Sequence, residues 1–554
     1  MVGRWRGALV VLLAAAVAGI PSSPSTGRTA PGTTSLGQAQ QVQQVEPRVV
    51  LRPRPNVVFI MTDDMRDDDL RFMPWTRRMI GDKGVRFRNS FSPYPLCCPA
   101  RASVLTGRYA HNHRVMSVLL PYAFPSFDDR STFATWLHDS GYTTTYVGKY
   151  LNGFGKWPAP RSSGGTSLSY VPPGWTDWRA SFDQGFAPFS PYAGDTYDFF
   201  DTTLSRNGHG FTPYEGRYQT RVYGRLSERI IARRAASERP FLFYLSFAAP
   251  HHGWPVEPDD PGPVVRDDGE VTTFPTTARP NDVKGAFDRR IRQAPGVSWV
   301  DPDFRDKPGY LQKPALNAAE KAALLEVTRQ RAEALSVVDE QVRRTVRALR
   351  RSGELGRTLV VFTSDNGYFL GEQRMREGKI WPHEPSLRVP LLMRGPGIPA
   401  GQVRNDPFSS IDFAPTIAEL AGVTPRTQVD GVSLLGVARH GDRGWTRGVL
   451  TETGPQHPEI ERRTDWAGRA VLPGGDRDVR FAIGLRTPRY LYVDLASGAH
   501  ELYDLRRDPR EYVNLARRPS YAGRLRLLAD VLARLRDCQG EECSRPLPPD
   551  LAGR

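Results

Sequence analysis

Apolar and polar positions follow two patterns along this chain. Short runs of β-branched and aromatic residues stand at VVFIM (57–61), TTTYVG (143–148), FLFYLSF (241–247), LVVFTS (359–364) and VPLLMRG (389–395). Runs of that length, uninterrupted by charge, suit strands buried on both faces of a parallel sheet. Between them, residues 216–236 and 316–351 carry the helical period, and the second stretch closes on Ser352-Gly353, a fair C-cap. After about residue 440 the strand candidates shorten to VRFAIGL, YLYVDL and HELYDL, before an Arg/Leu-rich helix near 519–536. This pattern predicts an α/β domain over 55–435, with a mainly parallel sheet flanked by helices. A smaller α+β domain is expected over 436–554. Residues 160–215 and 255–312 are rich in Pro, Gly and aromatics and read as long loops, of the kind that serve enzymes as lids or rims.

The first residues differ. Arg4 and Arg6 precede an apolar run at 8–18 that ends in Ala16-Val17-Ala18, a small-x-small cleavage pattern. Residues 1–18 therefore read as a secretory signal, too short to span a membrane, with an uncleaved anchor as the alternative. Residues 19–54, rich in Ser, Thr, Gly, Gln and Pro, read as a flexible leader. A secreted protein without stable membrane insertion is expected. A composition of 39% hydrophobic and 10% aromatic residues excludes wholesale disorder, and 4 Cys exclude a disulfide scaffold. The formal charge of +15 could favour polyanionic partners. Arg is nevertheless spread over the chain without a basic run interleaved with aromatics, so no nucleic-acid partner is expected.

Parallel sheets place their working groups at the carboxyl ends of strands. The first strand exits into Asp63-Asp64, the second into Lys149, the third into Pro250-His251-His252, and the fourth into Asp365-Asn366-Gly367. Asp63, Asp64, Asp365 and Asn366 offer oxygen ligands for a hard divalent cation, Ca²⁺ or Mg²⁺. Turn chemistry is the competing account of Asp-Asp and Asp-Asn-Gly. Asp67, Asp68 and Asp69 read as a solvated turn or helix start. In Leu96-Cys97-Cys98-Pro99-Ala100-Arg101, Pro99 suits a first helical turn. Cys97 then sits at a helix N-terminus that favours an anion, with Arg101 able to reach the same anion or anchor the turn. Inert core thiols or a thiol nucleophile would fit the same pair of Cys.

With these residues in view, the sequence resembles the type I sulfatases of the alkaline-phosphatase-like superfamily. Cys97-x-Pro99-x-Arg101 matches their C-x-P-x-R signature. NVVFIMTDD, PLCCPARASVLTGRYAHNH, VGKYLN, SDNG, GKIWPHEPSLRVPLLMRGPG and ELYDLRRDPREYVNL extend the match over roughly 54–515. The motifs look most like the N-acetylglucosamine-6-sulfatase and heparan-type branch. The resemblance implies an alkaline-phosphatase-like fold and a sulfuric ester hydrolase matured by a formylglycine-generating enzyme, which oxidises Cys97 to Cα-formylglycine. It implies a cation, Ca²⁺ rather than Mg²⁺, held by Asp63, Asp64, Asp365, Asn366 and the residue made from Cys97. Arg101 would orient the formylglycine turn, Lys149 and Lys379 would contact the sulfate ester, and His251 would be the general acid. The implied substrate is a sulfated small molecule or glycan; an arylsulfatase or a phosphonate monoester/phosphodiester hydrolase would use the same chemistry. Leu151 stands where many relatives have His, so His113, ahead of His252 or Asn152, becomes the candidate proton acceptor. His383 is read as a rim residue. In an exported protein Cys538 and Cys543 are expected to pair.

Overall fold

Five strands, Asn56–Thr62 (β1), Thr143–Lys149 (β2), Asp177–Ser181 (β3), Phe241–Ser246 (β4) and Thr358–Ser364 (β5), run parallel in the spatial order β5-β1-β4-β2-β3. They form the middle of a ten-stranded sheet in the computed structural model, which describes residues 54–552 apart from 188, 299–300, 302 and 456–478. The expected signal at 1–18 and nearly all of the leader at 19–54 lie outside the described residues. β1, β4 and β5 are buried at every position, as their unbroken apolar sequences require.

The sheet departs from the expected pattern at its edges. Leu391–Arg394 (β6), within the VPLLMRG run, pairs antiparallel with β5 rather than parallel. No crossover helix of sufficient length separates the two strands, only loops and the short turns Glu372–Arg374 and Glu384–Leu387, so the chain reverses instead of crossing. Val85–Phe87 and Gln402–Arg404 extend that edge. At the other edge, the 160–215 region expected as loop supplies β3 and the antiparallel strands Thr203–Ser205 and Phe211–Pro213. These pieces are too short to show a period in sequence.

Alternate residues of the central strands feed two cores. Val57, Phe59, Met61, Leu359 and Val361 pack with Cys97–Thr106 (α1), Phe133–Asp139 (α2) and a helix at Phe413–Ala421. Val58, Ile60, Val360 and Phe362 pack against Gln219–Ala235 (α3) and Ala318–Arg351 (α4). α4 starts where Asn317 accepts the Glu320 N–H and the Glu320 carboxylate answers at the Asn317 N–H. Towards the C-terminus Val449–Thr453 (β7), Ala482–Arg486 (β8), Tyr490–Leu495 (β9) and His500–Asp504 (β10) form a sequential antiparallel sheet. Leu528, Val531, Leu532 and Leu535 of Ala522–Leu535 (α5) cover it. Cys538 and Cys543 are disulfide-bonded, as expected.

One close approach sets the end of β2. Gly148 has φ +105°, and a Cβ there would lie 1.9 Å from the Ser246 carbonyl oxygen of β4. Only Gly allows that approach, and Lys149 follows directly. Gly148→Ala is expected to lower unfolding free energy by about 1–3 kcal/mol in a urea titration; an unchanged midpoint and slope would show that the strand end tolerates a side chain.

Candidate active site

β1 and β5 are paired in register through Thr62 and Ser364, so their exits emerge side by side. Asp365 Oδ1 accepts the backbone N–H groups of Asp64 (3.1 Å) and Asn366 (2.8 Å). Asn366 Nδ2 donates to Asp64 Oδ1 at 2.7 Å. Asp64 is held at φ +64°, a left-handed conformation that Asp adopts at some cost, and Arg331 of α4 donates to its carbonyl oxygen. Asp64 Oδ2 and Asn366 Oδ1 remain buried with no hydrogen-bond donor. Oxygens of Asp63, Asp64 and Asp365 lie within 4.8 Å of one another. Turn chemistry accounts for the bonded oxygens and leaves these two orphaned. An oxygen-only set with unfilled lone pairs fits a hard divalent cation.

α1 delivers the next groups. Leu96 is extended at the N-cap, Pro99 occupies the first turn, and Gly107 ends the helix at φ +71°. Cys97, the first helical residue, is a buried free thiol. Its Sγ lies 3.2 Å from Asp63 Oδ1 and receives the Lys379 ammonium at 2.8 Å. Arg101 is 2% exposed and ties three strand ends together. It donates to Asp365 Oδ2 (2.7 Å), to the Lys149 carbonyl (2.9 Å) and to Ser246 Oγ (2.8 Å). Of the two roles open to it, anchoring is the one its contacts make. Lys149 bonds Asp63, and Lys379 bonds Asp64. Lys379 is thus an enclosed partner of the carboxylates rather than a solvated loop charge.

These charges set one another's protonation. Burial opposes ionisation of Asp63, but Lys149, His251, Arg101 and Lys379 outweigh it and hold the carboxyl well below its usual range. Asp365 goes the other way, pushed up to about 6 by burial and by Asp63 against the pull of Arg101. Burial and the Asp63 carboxylate push the Cys97 thiol far above its ordinary value, despite the two lysines. A thiol held neutral is a poor nucleophile, which disfavours plain thiol catalysis.

A cavity of about 350 Å³ opens above Cys97, lined by Lys379, His251, His252, Asn152, Tyr197 and Trp254 among others. His251 Nδ1 faces the His252 carbonyl oxygen at 2.7 Å and so carries its proton there. That leaves Nε2, 3.6 Å from Asp64 Oδ2, as the nitrogen that exchanges a proton. Burial, then His252, lowers the affinity of His251 for that proton. Two aromatic residues of the site were not expected there: Tyr197, whose ring lies 4.6 Å from that of His251 and 4.9 Å from Lys149 Nζ, and Trp254. The aromatic richness of 160–215 was the available signal for Tyr197.

Three expectations are corrected. His113 does not line this cavity: its Nε2 pairs with Ser103 Oγ at 2.9 Å, its Nδ1 accepts the Val115 N–H, and burial drives its pKa down to about 3. Asn152 and His252 do line it. His383 is no rim residue but fully buried between Tyr310 and Glu511. Asp67, Asp68 and Asp69 do start a helix, Asp67–Phe72, as one of the two expected readings had it, but Asp69 is buried in that first turn rather than solvated. Because Arg101 is enclosed with Asp365, Arg101→Met strands that carboxylate, while Asp63 keeps Lys149. In metal-free buffer it is expected to cost about 3–5 kcal/mol by urea unfolding, and a loss below about 1 kcal/mol would contradict the anchoring role.

Comparison with known proteins accords with this geometry. The sulfatase family model matches residues 55–423. The chain is 31% identical to the extracellular sulfatase SULF-1 homolog of Drosophila melanogaster over 77% of its length, and spans 35% of that relative. It is 30% identical to an arylsulfatase of Volvox carteri, with 89% of this chain and 76% of that one aligned. Human N-acetylglucosamine-6-sulfatase is also 30% identical, with coverage of 89% and 86%. Among solved structures, a protein in complex with its substrate D-glucosamine-2-N,6-O-disulfate superposes with TM-score 0.67 at 22% identity, covering 87% of this chain and 97% of that one. The phosphonate monoester hydrolase of Agrobacterium radiobacter gives 0.61 at 24% identity, covering 87% and 95%. The large mixed sheet with flanking helices and the small antiparallel sheet are the alkaline-phosphatase-like fold of these neighbours. The chain belongs to the sulfatase family of sulfuric ester hydrolases.

Proposed function

We propose that this chain is an exported sulfatase that hydrolyses sulfate monoesters on a sulfated sugar such as N-acetylglucosamine 6-sulfate. The observation that carries the reading is Cys97 at the start of α1, between Asp63 and Lys379 and at the base of a cavity that also presents His251. A sulfate ester is an anion with a poor leaving alkoxide, so its hydrolysis needs a nucleophile, charge neutralisation and a proton donor. The formylglycine made from Cys97 by its generating enzyme supplies a hydrated aldehyde as nucleophile. A divalent cation held by Asp63, Asp64, Asp365 and Asn366, calcium rather than magnesium, supplies charge neutralisation.

The remaining roles belong to the chain's own residues. Lys149 and Lys379 bind the ester oxygens; burial opposes their charge, but Asp63 and Asp64 respectively hold both ammonium groups charged. The start of α1 turns backbone N–H groups towards the same anion. Arg101 touches no substrate and holds the strand ends in register. His251 delivers a proton from Nε2 to the departing oxygen; an anionic ester beside the ring raises its affinity for that proton, opposing the effect of burial. His252, at the cavity wall, is the base that takes up a proton released by the nucleophile, and Asn152 beside it can orient that group by hydrogen bonding.

The sugar assignment is supported by the N-acetylglucosamine-6-sulfatases of Homo sapiens and Capra hircus, each 30% identical over most of both chains. Export is supported by the extracellular relative in Drosophila melanogaster. The Volvox arylsulfatase, equally identical, favours an aryl ester as the second reading. The test is sulfate release, followed by ion chromatography, from N-acetylglucosamine 6-sulfate, an aryl sulfate and an aryl phosphodiester, using protein coexpressed with the generating enzyme. Release from the sugar is expected, abolished in Cys97→Ser. Turnover confined to the aryl ester would overturn the sugar assignment, and full turnover in Cys97→Ser would remove formylglycine. His251→Ala is expected to lower kcat on the sugar ester by about 10²–10⁴-fold, and less on an aryl ester, whose leaving group needs no proton. A chelator should stop release and added calcium restore it; activity indifferent to the chelator would contradict a cation.

A further inference from the structure

The basic charge spread along the sequence is gathered by one helix. Arg221, Arg225, Arg229 and Arg233 recur every fourth residue on α3, and Arg217 precedes them at the same spacing. Fourfold spacing puts them on one face, spanning roughly 18 Å from Arg221 to Arg233 at 1.5 Å per residue. Arg217, Arg225, Arg229 and Arg233 are exposed. The opposite face of α3, with Val222, Leu226, Ile230 and Ile231, is sunk in the core against α4. α4 adds Arg344 and Arg351 beside the stripe, both bonded to Glu228 of α3 at 3.4 and 3.1 Å.

Acids on this face are too few to neutralise it. Glu228 serves Arg344 and Arg351, with Glu340 also 3.6 Å from Arg344; Asp282 pairs with Arg221, and Asp177 with Arg233. Arg217, Arg225 and Arg229 make no ion pair among the described residues. Arg225 has its proton affinity lowered by partial burial and then by Arg217, Arg229, Arg344 and Arg221, the mark of like charges crowded without a counter-ion. The stripe also points somewhere. The Arg217 N–H bonds the Phe200 carbonyl, the Phe199 N–H bonds the Trp254 carbonyl, and Trp254 lines the cavity above Cys97. One end of the stripe therefore lies beside the cavity rim, and the rest runs away from it down the side of the sheet.

We propose that the outer face of α3, with Arg344 and Arg351 of α4, is a docking track for a sulfated polysaccharide whose end occupies the cavity. This deepens the sulfated-sugar reading, on which the choice of partner rests. Guanidinium forks suit tetrahedral oxyanions repeated along a chain. Nucleic acid fits less well, because Tyr218 and Tyr223 are buried and α3 offers no exposed ring for base stacking. An anionic membrane fits less well too, since the apolar residues of α3 face inward and leave nothing to insert.

The test is equilibrium binding of a heparin-derived decasaccharide to the full chain, beside single-stranded DNA of equal charge and phosphatidylserine vesicles. The decasaccharide is expected to bind most tightly, with affinity falling as salt rises. Arg225→Glu/Arg229→Glu should weaken it at least about tenfold, and Arg225→Gln/Arg229→Gln should weaken it less. Arg526→Glu/Arg534→Glu, an equal charge change at exposed positions of α5, should stay within about twofold. Equal weakening by both Glu pairs, no weakening by the α3 pair, or tighter binding of DNA or vesicles would overturn the proposal. Binding is read without turnover, so a protein that holds the decasaccharide at α3 yet releases no sulfate would sink the hydrolysis reading and leave the track standing.

Discussion

Three aspartates, Asp63, Asp64 and Asp365, end two adjacent parallel strands with no exposed surface, and their repulsion must be cancelled for the strands to lie side by side. Arg101 comes up from α1 to take Asp365, while Lys149 and Lys379 arrive from β2 and from the segment after β5 to take Asp63 and Asp64. Buried charges of one sign are tolerated only with such partners. Much of the surrounding geometry serves this convergence. Gly148 lets β2 approach β4, Pro99 starts α1 beneath the carboxylates, and Asp64 accepts a left-handed backbone. The orphaned oxygens of Asp64 and Asn366 are what the protein's own cations leave unfilled.

The C-terminal sheet takes part in the same arrangement through the segment that carries Lys379. Thr453 of β7 donates to the Ile380 carbonyl at 2.8 Å. Glu384 receives Arg486 of β8 at 2.6 Å, and its carboxyl is held near 2: burial opposes ionisation, but Arg388 and Arg486 prevail. His383 stands between Glu511 and Tyr310, whose hydroxyl donates to Glu501 of β10 and so accepts from His383 Nε2. The region after residue 440 is therefore a clamp on the segment that carries Lys379. Its buried polar groups bond Ile380, His383, Glu384 and Tyr310, which fixes where the Lys379 ammonium can reach.

The central strands were legible because burial on both faces leaves an unbroken apolar signature, and the clustered carboxylates and Cys97 because they follow those strands or a helix start. Edge strands were not legible: Thr203–Ser205 and Phe211–Pro213 are too short for a period. The direction of β6 depends on what lies between it and β5, which the run itself does not encode. His113 and His383 show the limit of inference from residue type, since an imidazole near a motif can be consumed by Ser103 or Glu511 before it reaches solvent. The α3 arginines, four apart, looked diffuse along the sequence. Only the helix, with its apolar face turned into the core, brings them into one line.

If the four side chains that follow β1 and β5 form a cation site, the two lysines must share their carboxylates with the ion. Crystal diffraction of the protein grown in saturating calcium, with anomalous scattering to mark the ion, tests this most directly. The account predicts one calcium bound by oxygens of Asp63, Asp64, Asp365 and Asn366, with the Lys149 and Lys379 ammonium groups drawn off the carboxylates towards the cavity. Density empty of any ion at these four groups, with both lysines still on Asp63 and Asp64, would contradict it.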